Sequence, residues 1–118
     1  MTDPLVSALA VGVGGALGAV SRHLVGLVTE SRRSLVVVNT TGSFVLGLLV
    51  AAPPDALAVV AIGVGFCGAF TTFSSFAVET VTTAATGDHG VAATFAALNV
   101  GAAVMAFLVG SGLALTTT

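Results

Sequence analysis

The chain has 118 residues, of which 56% are hydrophobic and 7% charged, and its formal net charge at pH 7 is −2. A soluble domain carries about 25% charged residues, so this composition excludes a water-facing surface and indicates an integral membrane protein. A membrane-spanning helix needs about 20 apolar residues, so residues 1–118 have room for four spans at most, in a single transmembrane domain. No basic tract for nucleic acid is present, and Cys67, the only cysteine, excludes an internal disulfide.

The first predicted span runs from Pro4 to Thr29, and three of its residues share one helix face. Two of them, Gly14 and Gly18, form a small-residue seam that lets another helix approach closely, either within the chain or from a second subunit. The third, Arg22, lies about two turns inside the span, where a charge that faces lipid is costly. We therefore expect Arg22 at a polar vestibule or in helix pairing, with snorkelling to the interface as the alternative.

The second predicted span, from Ser34 to Ala51, follows a short polar loop at residues 30–33. Its first half contains Asn39, and an amide in hydrocarbon must find partners in protein or water. Two interpretations of Asn39 follow. It forms interhelical hydrogen bonds, or it is a donor that lines a pore.

The third predicted span, from Asp55 to Thr83, is too long for a straight crossing of about 30 Å. Tilt could absorb the excess, but the glycines and hydroxyl groups between Gly65 and Phe73 favour a break. A broken helix frees carbonyls, which coordinate hard cations such as Na⁺. Phe73 and Phe76 lie on one face, and aromatic ring edges carry partial positive charge that can contact a small anion. Neighbouring hydroxyls add hydrogen-bond donors.

The fourth predicted span runs from about Gly90 to Leu115 and contains Asn99, a second intramembrane amide. The sequence as a whole therefore predicts an all-α integral membrane protein with four transmembrane helices, the third of them broken near its middle.

Three motifs in these spans together resemble the signature of a known family. They are Gly14–Arg22 in the first span, Val38–Phe44 in the second, and Gly65–Phe76 followed by Glu79 in the third. Their order and positions are similar to those of the Fluc (CrcB) fluoride channels over the whole chain. The chain departs from the family pattern at Ala69, at Ser75, and in the fourth span, where a frequent tyrosine is absent and Phe95 is the nearest candidate replacement.

The resemblance implies an antiparallel, dual-topology dimer in the cell membrane, with two narrow pores that export fluoride passively from the cytoplasm. It also implies a structural Na⁺ at the dimer centre, held by the backbone carbonyls of Gly68 and Thr71 from both subunits. The expected partners are a second copy of the chain or an oppositely oriented homologue, membrane lipid and fluoride, and no nucleic acid.

The resemblance further implies a set of side chains along the fluoride path. Phe73 and Phe76 would present their ring edges, and Asn39 would be the second-span donor. Arg22 would be the vestibule arginine, and Ser75 would belong to a polar track beyond the rings. The family's polar track in the fourth span would include Asn99, one turn after Phe95, although the family's frequent tyrosine is absent there.

Two other classes of membrane protein have similar dimensions. A small four-helix multidrug-type transporter needs a carboxylate inside its first span, and none lies between Pro4 and Thr29. A structural membrane subunit would leave the buried polar cluster unexplained. An intramembrane enzyme is not expected, because Cys67 has no histidine near it within a span.

Overall fold

The structure, a computed structural model, describes residues 3–118, and throughout that range the chain is built from helices joined by short connections. Four segments are long and apolar enough to cross a membrane: Pro4–Val28, Ser31–Ala51, Ala56–Ala85 and His89–Thr117. The predicted all-α fold class with four membrane spans is confirmed, and the chain is a multi-pass membrane protein.

The first two spans are single helices, α1 (Pro4–Val28) and α2 (Ser31–Ala51). Asp3 caps α1 by accepting from the Leu5 N–H at 2.7 Å, as the Asp-Pro start predicts. The second helix begins earlier than the predicted Ser34, because the Ser34 N–H donates to the Glu30 carbonyl at 2.7 Å and closes a first turn through the arginines.

The third span consists of two helices separated by a short break. The first, α3, begins at Ala56 and ends at Phe70, with α-helical turns at Ala56–Ala58 and Gly68–Phe70 and a π-helix over Val59–Cys67. The second is α4 (Phe73–Ala85), and α5 (His89–Thr117) is the fourth span. The break predicted within residues 65–73 is confirmed. The sequence does not predict the π-helix. Its hydrogen bonds join residues five apart, and such helices are rare beyond one turn.

The glycine seam of α1 packs against the π-helix of the same chain. A Cβ atom at Gly14 would overlap the Ala61 carbonyl oxygen, and one at Gly18 would overlap the Phe66 carbonyl oxygen. From the opposite side, a Cβ at Gly65 would lie 2.7 Å from the Val11 carbonyl oxygen. The two backbones are therefore in direct contact, which only glycine permits. The sequence allows two partners for this glycine seam, another helix of the same chain or a second subunit. In the structure the seam packs against a helix of the same chain.

The second close pair is α2 with α5, which run parallel to each other. A Cβ at Gly47 would overlap the Phe107 carbonyl, and a Cβ at Gly110 would overlap the Phe44 carbonyl. The Ser111 hydroxyl donates to the Gly47 carbonyl at 3.2 Å across the same contact. These contacts fix the register of α5 against α2, and that register decides which polar side chains meet deeper in the membrane.

The break carries the third span from one helix pair to the other. Before the break, α3 packs on α1, and after it α4 packs mainly on α5. The outer surface is apolar along much of its length: α1 exposes a row of side chains at intervals of three or four residues, Leu5, Leu9, Val13, Leu17, Val20 and Leu24, each more than half exposed. Such a continuous apolar face suits lipid rather than water. The polar groups collect around the break.

Candidate functional site at the broken third span

The third span is interrupted at two threonines with extended backbone. Thr71 has φ −82° and ψ 163°, and Thr72 has φ −151° and ψ 116°. The Thr71 N–H and hydroxyl both donate to the Cys67 carbonyl, at 3.0 and 2.9 Å, and so close α3. The Thr72 hydroxyl accepts from the Ser75 N–H at 3.2 Å and so caps the start of α4. Each hydroxyl thus bonds one main-chain group at the helix ends that the break creates.

Asn39 of α2 pairs with the main chain of the break. The Thr72 N–H donates to Asn39 Oδ1 at 2.8 Å, and Asn39 Nδ2 donates to the Thr72 carbonyl at 3.2 Å. The side-chain amide therefore bonds the exposed peptide groups as a neighbouring strand would. In a continuous α-helix the Thr72 N–H would instead donate to the Gly68 carbonyl. The break leaves the Gly68 carbonyl without that donor.

A second amide, from α5, joins the first. Asn39 Nδ2 also donates to Asn99 Oδ1 at 3.0 Å, and the two residues are 9% and 3% exposed. Among the described residues, neither Asn99 Nδ2 nor the Thr40 hydroxyl, both buried, has a hydrogen-bond partner. A buried donor without a partner costs about 1–3 kcal/mol. Such groups in native proteins call for an explanation, for example a bound water or ion.

Arg22 reaches the break from α1. Its half-buried guanidinium donates from Nη1 to the Thr71 carbonyl at 3.3 Å. A charge at this depth is tolerated because it pairs with a main-chain carbonyl that the break has released. The sequence predicts Arg22 at a polar vestibule or in helix pairing. In the structure its hydrogen bond pairs the first span with the third.

Three aromatic rings form a row on α4 and α5. The centroids of Phe73 and Phe76 are 5.7 Å apart with a tilt of 54°, and those of Phe76 and Phe95 are 5.7 Å apart with a tilt of 42°. The row runs from the surface inward, because Phe73 is 78% exposed and Phe95 is 6% exposed. Because ring edges carry partial positive charge, the row places three rings that can each contact an anion weakly side by side.

Ser75 lies in a hydroxyl-rich groove of about 590 Å³ between the start of α2 and α4. Its polar lining consists of Ser31, Ser34, Ser74, Ser75 and Glu79. Beside it, Arg32 Nε donates to Glu79 Oε1 at 2.9 Å, and Arg32 Nη2 donates to the Thr83 hydroxyl at 3.5 Å. This ion pair ties the start of α2 to α4, so the groove has walls that are fixed to each other.

The structure brings most of the predicted site residues together at the break. A groove of about 460 Å³ is lined by four of them, Asn39, Gly68, Thr71 and Phe73. Phe76 adjoins it through the ring row, Arg22 reaches it through the Thr71 carbonyl, and Ser75 lies in the hydroxyl-rich groove.

Sequence reasoning missed two connections of this site. The first is the pairing of Asn39 with the main chain of Thr72, although a hydroxyl residue before the run Phe73–Phe76 is a helix-start signal. The bond between Asn39 and Asn99 was the other, and no local signal predicts it because it depends on the register of α2 against α5.

Comparison with known proteins places the chain among relatives of similar length. A channel from Natronomonas pharaonis named Fluoride-specific ion channel FluC 2 is 49% identical over 92% of this chain and 95% of its own. A protein of the same name from Haloarcula marismortui is 49% identical over 93% of this chain and 92% of its own. Fluoride-specific ion channel FluC of Idiomarina loihiensis is 40% identical over 85% of both chains.

The family model described as CrcB-like protein, Camphor Resistance (CrcB), matches residues 9–111. That range includes all of α2, α3 and α4 and every residue discussed at the break. With a match of this extent and with relatives of this identity, the chain belongs to the CrcB family.

Proposed function

We propose that the protein is a fluoride-selective ion channel that lets fluoride leave the cytoplasm passively across the cell membrane. The observation that carries the proposal is the broken third span, where donors and ring edges converge inside a membrane domain. A small, strongly hydrated anion crosses a membrane only where such groups replace its water. The relatives' names identify the ion, and their identity extends over most of the chain.

The fluoride path follows the polar and aromatic groups around the break. Phe73 and Phe76 offer ring edges, and Ser75 offers a hydroxyl in the groove beyond them. Asn39 brings an amide to the break itself. Arg22 contributes positive charge beside it, which favours entry of an anion. Each contribution is weak alone, which suits conduction, because an ion held too tightly does not leave.

The functional unit is an antiparallel dimer with two pores. The groove at the break is open in one chain, with Phe73 78% exposed and Gly68 exposed beside it. A second copy that covers this face would bury the ring and complete the walls of each path. Basic residues near the ends of the spans set the orientation of a membrane protein. In this chain only Arg32 and Arg33 lie beside a connection between spans, and so small a charge bias permits insertion in both orientations. The partner is a second copy, or an oppositely oriented homologue.

A structural Na⁺ at the dimer centre fits the donors of the break. Gly68 has a carbonyl without its helical donor, and a Cβ there would meet no atom within 4 Å, so the surface beside it is open. The Thr71 carbonyl, which accepts from Arg22, keeps a second lone pair. Two carbonyls are too few for a hard cation, so the corresponding pair from a second copy is required. Such an ion would hold the two breaks together.

The channel function is tested by fluoride efflux from liposomes that contain the purified protein. We expect a fluoride electrode to record rapid release once an ionophore carries the compensating cation, because donors and ring edges replace the water of the ion. Chloride-loaded vesicles should retain their anion. Folded protein that releases no fluoride, or that releases chloride equally fast, would contradict the proposal. Release by this chain alone would also show that no homologous partner is needed.

The sodium site is tested by thermal unfolding of the protein in detergent, with light scattering to measure its mass. We expect a dimer whose melting temperature is higher in Na⁺ than in N-methylglucamine at equal ionic strength. An ion present at a hundredfold excess over its dissociation constant stabilises the folded state by about 2.7 kcal/mol. A monomer, or equal melting temperatures in the two salts, would count against the site.

A further inference from the structure

An apolar groove lies near one end of the helix bundle, between the start of α2 and the start of α5. This groove, hereafter the flank groove, has a volume of about 570 Å³. Its lining is mostly aliphatic and aromatic, with Val36, Val37, Val91, Phe95 and Leu98 as its larger apolar side chains. Val37, Val91 and Leu98 are each more than two-fifths exposed. An open apolar surface of this kind marks a site of interaction with a membrane or another apolar partner.

Two arginines line the mouth of the flank groove, Arg32 and Arg33. Arg32 is already paired, because its Nε donates to Glu79 Oε1 at 2.9 Å. Arg33 is exposed, and its guanidinium makes no hydrogen bond or ion pair with any residue from 3 to 118. The acids of the adjacent connections, Glu30 and Asp88, do not pair with it. The flank groove therefore has at its mouth a positive charge that this chain leaves without a partner.

The lining of the flank groove changes from charged to apolar with depth. Arg33 lies in the first turn of α2, and Gly90 lies in the first turn of α5, so both mark the mouth. Leu98 lies eight residues beyond Gly90, which is about 12 Å along the helix axis. A phospholipid has the same order of groups, with a phosphate at the membrane interface and acyl chains beneath it. Basic pockets between membrane helices at this level suit anionic headgroups.

The flank groove and the groove at the break lie on opposite flanks of α5. At about 100° per residue, Val91 and Leu98 point to one flank of the helix, whereas Val100 and Val104 point to the other. Val100 and Val104 line the groove at the break. A second copy that covers the break would therefore leave the flank groove open to the bilayer. Lipid is then the molecule in contact with it.

We propose that the flank groove is a binding site for an anionic phospholipid. The lipid phosphate binds the Arg33 guanidinium, which offers two parallel N–H groups to phosphate oxygens. One acyl chain lies along Val37, Val91 and Leu98. A zwitterionic lipid binds more weakly, because its own cation offsets the charge of its phosphate. The proposal requires only that the chain spans a membrane, so it stands apart from the identity of the conducted ion.

The site is tested with a fluorescent reporter, since the chain has no tryptophan and no tyrosine. Leu98→Trp places a single tryptophan in the flank groove. Leu108→Trp is the matched control, because Leu108 lies on the same helix outside the groove and is 55% exposed against 58% for Leu98. Each variant is reconstituted into phosphatidylcholine vesicles with increasing fractions of brominated phosphatidylglycerol, whose bromine atoms quench tryptophan on contact. A parallel series uses brominated phosphatidylcholine.

We expect brominated phosphatidylglycerol to half-quench Leu98→Trp at about a tenfold lower lipid fraction than brominated phosphatidylcholine, the ratio that one hydrogen bond to a charged group supports. At Leu108→Trp the two lipids should quench alike. Arg33→Gln, combined with Leu98→Trp, should remove the preference for phosphatidylglycerol. Because Arg33 makes no contact of its own with the described chain, this change should leave folding intact.

Four results would overturn the site. The first is equal quenching of Leu98→Trp by the two lipids, as expected if Arg33 only reaches into water. The second is a preference that survives Arg33→Gln or appears equally at Leu108→Trp. The third is no quenching by either lipid, which would mean that a second copy or another protein covers the groove. The fourth is loss of the preference when soluble glycerol phosphate is added, which would indicate a site for free phosphate. If Leu98→Trp does not fold, Val91→Trp reports from the same groove.

Discussion

Replacing Asn39 by Asp is expected to abolish fluoride flux and to lower the melting temperature of the protein. The change removes both N–H donors and leaves a carboxylate opposite two oxygen acceptors, the Thr72 carbonyl and Asn99 Oδ1. An unpaired buried charge costs about 3–5 kcal/mol. A negative charge at the break also repels an anion in the path proposed beside it. The two effects act on different quantities, stability and flux, and both are measured on the same purified variant.

Ser43→Ala is the matched control for Asn39→Asp. Ser43 lies one turn later on the same face of α2 and lines the same groove, and its hydroxyl makes no hydrogen bond to any part of the chain that the structure describes. Its replacement should change neither the melting temperature nor the flux appreciably. If Asn39→Asp retains wild-type stability and loses only flux, then the network around Thr72 contributes little and Asn39 acts on the ion directly. If it retains both, Asn39 has neither role.

The number of spans and the position of the break follow from local sequence. Four apolar stretches, glycines near the end of α3 and a cluster of hydroxyls around Thr72 carry that information without any tertiary contact. The π-helix does not follow in this way. It lies against Gly14 and Gly18 of α1 at backbone contact, a tertiary contact that the local sequence of α3 does not contain.

The composition of the site was predictable, but its connections were not. Helical spacing predicts which residues of α2 share a face with Asn39. The long apolar run around Asn99 predicts that this residue is intramembrane. Neither pattern sets the register between α2 and α5, in which the bonded Asn39 and Asn99 are sixty residues apart in the chain. That register comes from the contacts of Gly47 with Phe107 and of Gly110 with Phe44. The same limit applies to Arg32. The sequence places it in a polar loop, and only the folded chain brings Glu79 beside it.

Phe76→Ile is expected to lower fluoride flux by about tenfold or more, equivalent to the loss of about 1.4 kcal/mol of interaction along the path. Phe76 is the middle ring of the row and contacts both of its neighbours. An isoleucine fills much of the same space but has no quadrupole and therefore no positive edge. Hydrophobic replacements of similar volume usually cost less than about 1.5 kcal/mol of stability. The variant should therefore fold and keep the oligomeric state of the wild type, which unfolding and light scattering would check alongside the efflux.

Phe107→Ile controls for the loss of an aromatic ring in general. Phe107 is also partly buried in a membrane span, but it lies on the far part of α5, against Gly47 and away from the ring row. The Phe107→Ile variant should conduct fluoride like the wild type. Equal flux in Phe76→Ile and the wild type would mean that the row serves packing only, and the selectivity would then rest on amide and hydroxyl donors. A loss confined to Phe76→Ile would assign the ring edges to the ion, because the two variants remove the same chemical group and differ only in where it lies.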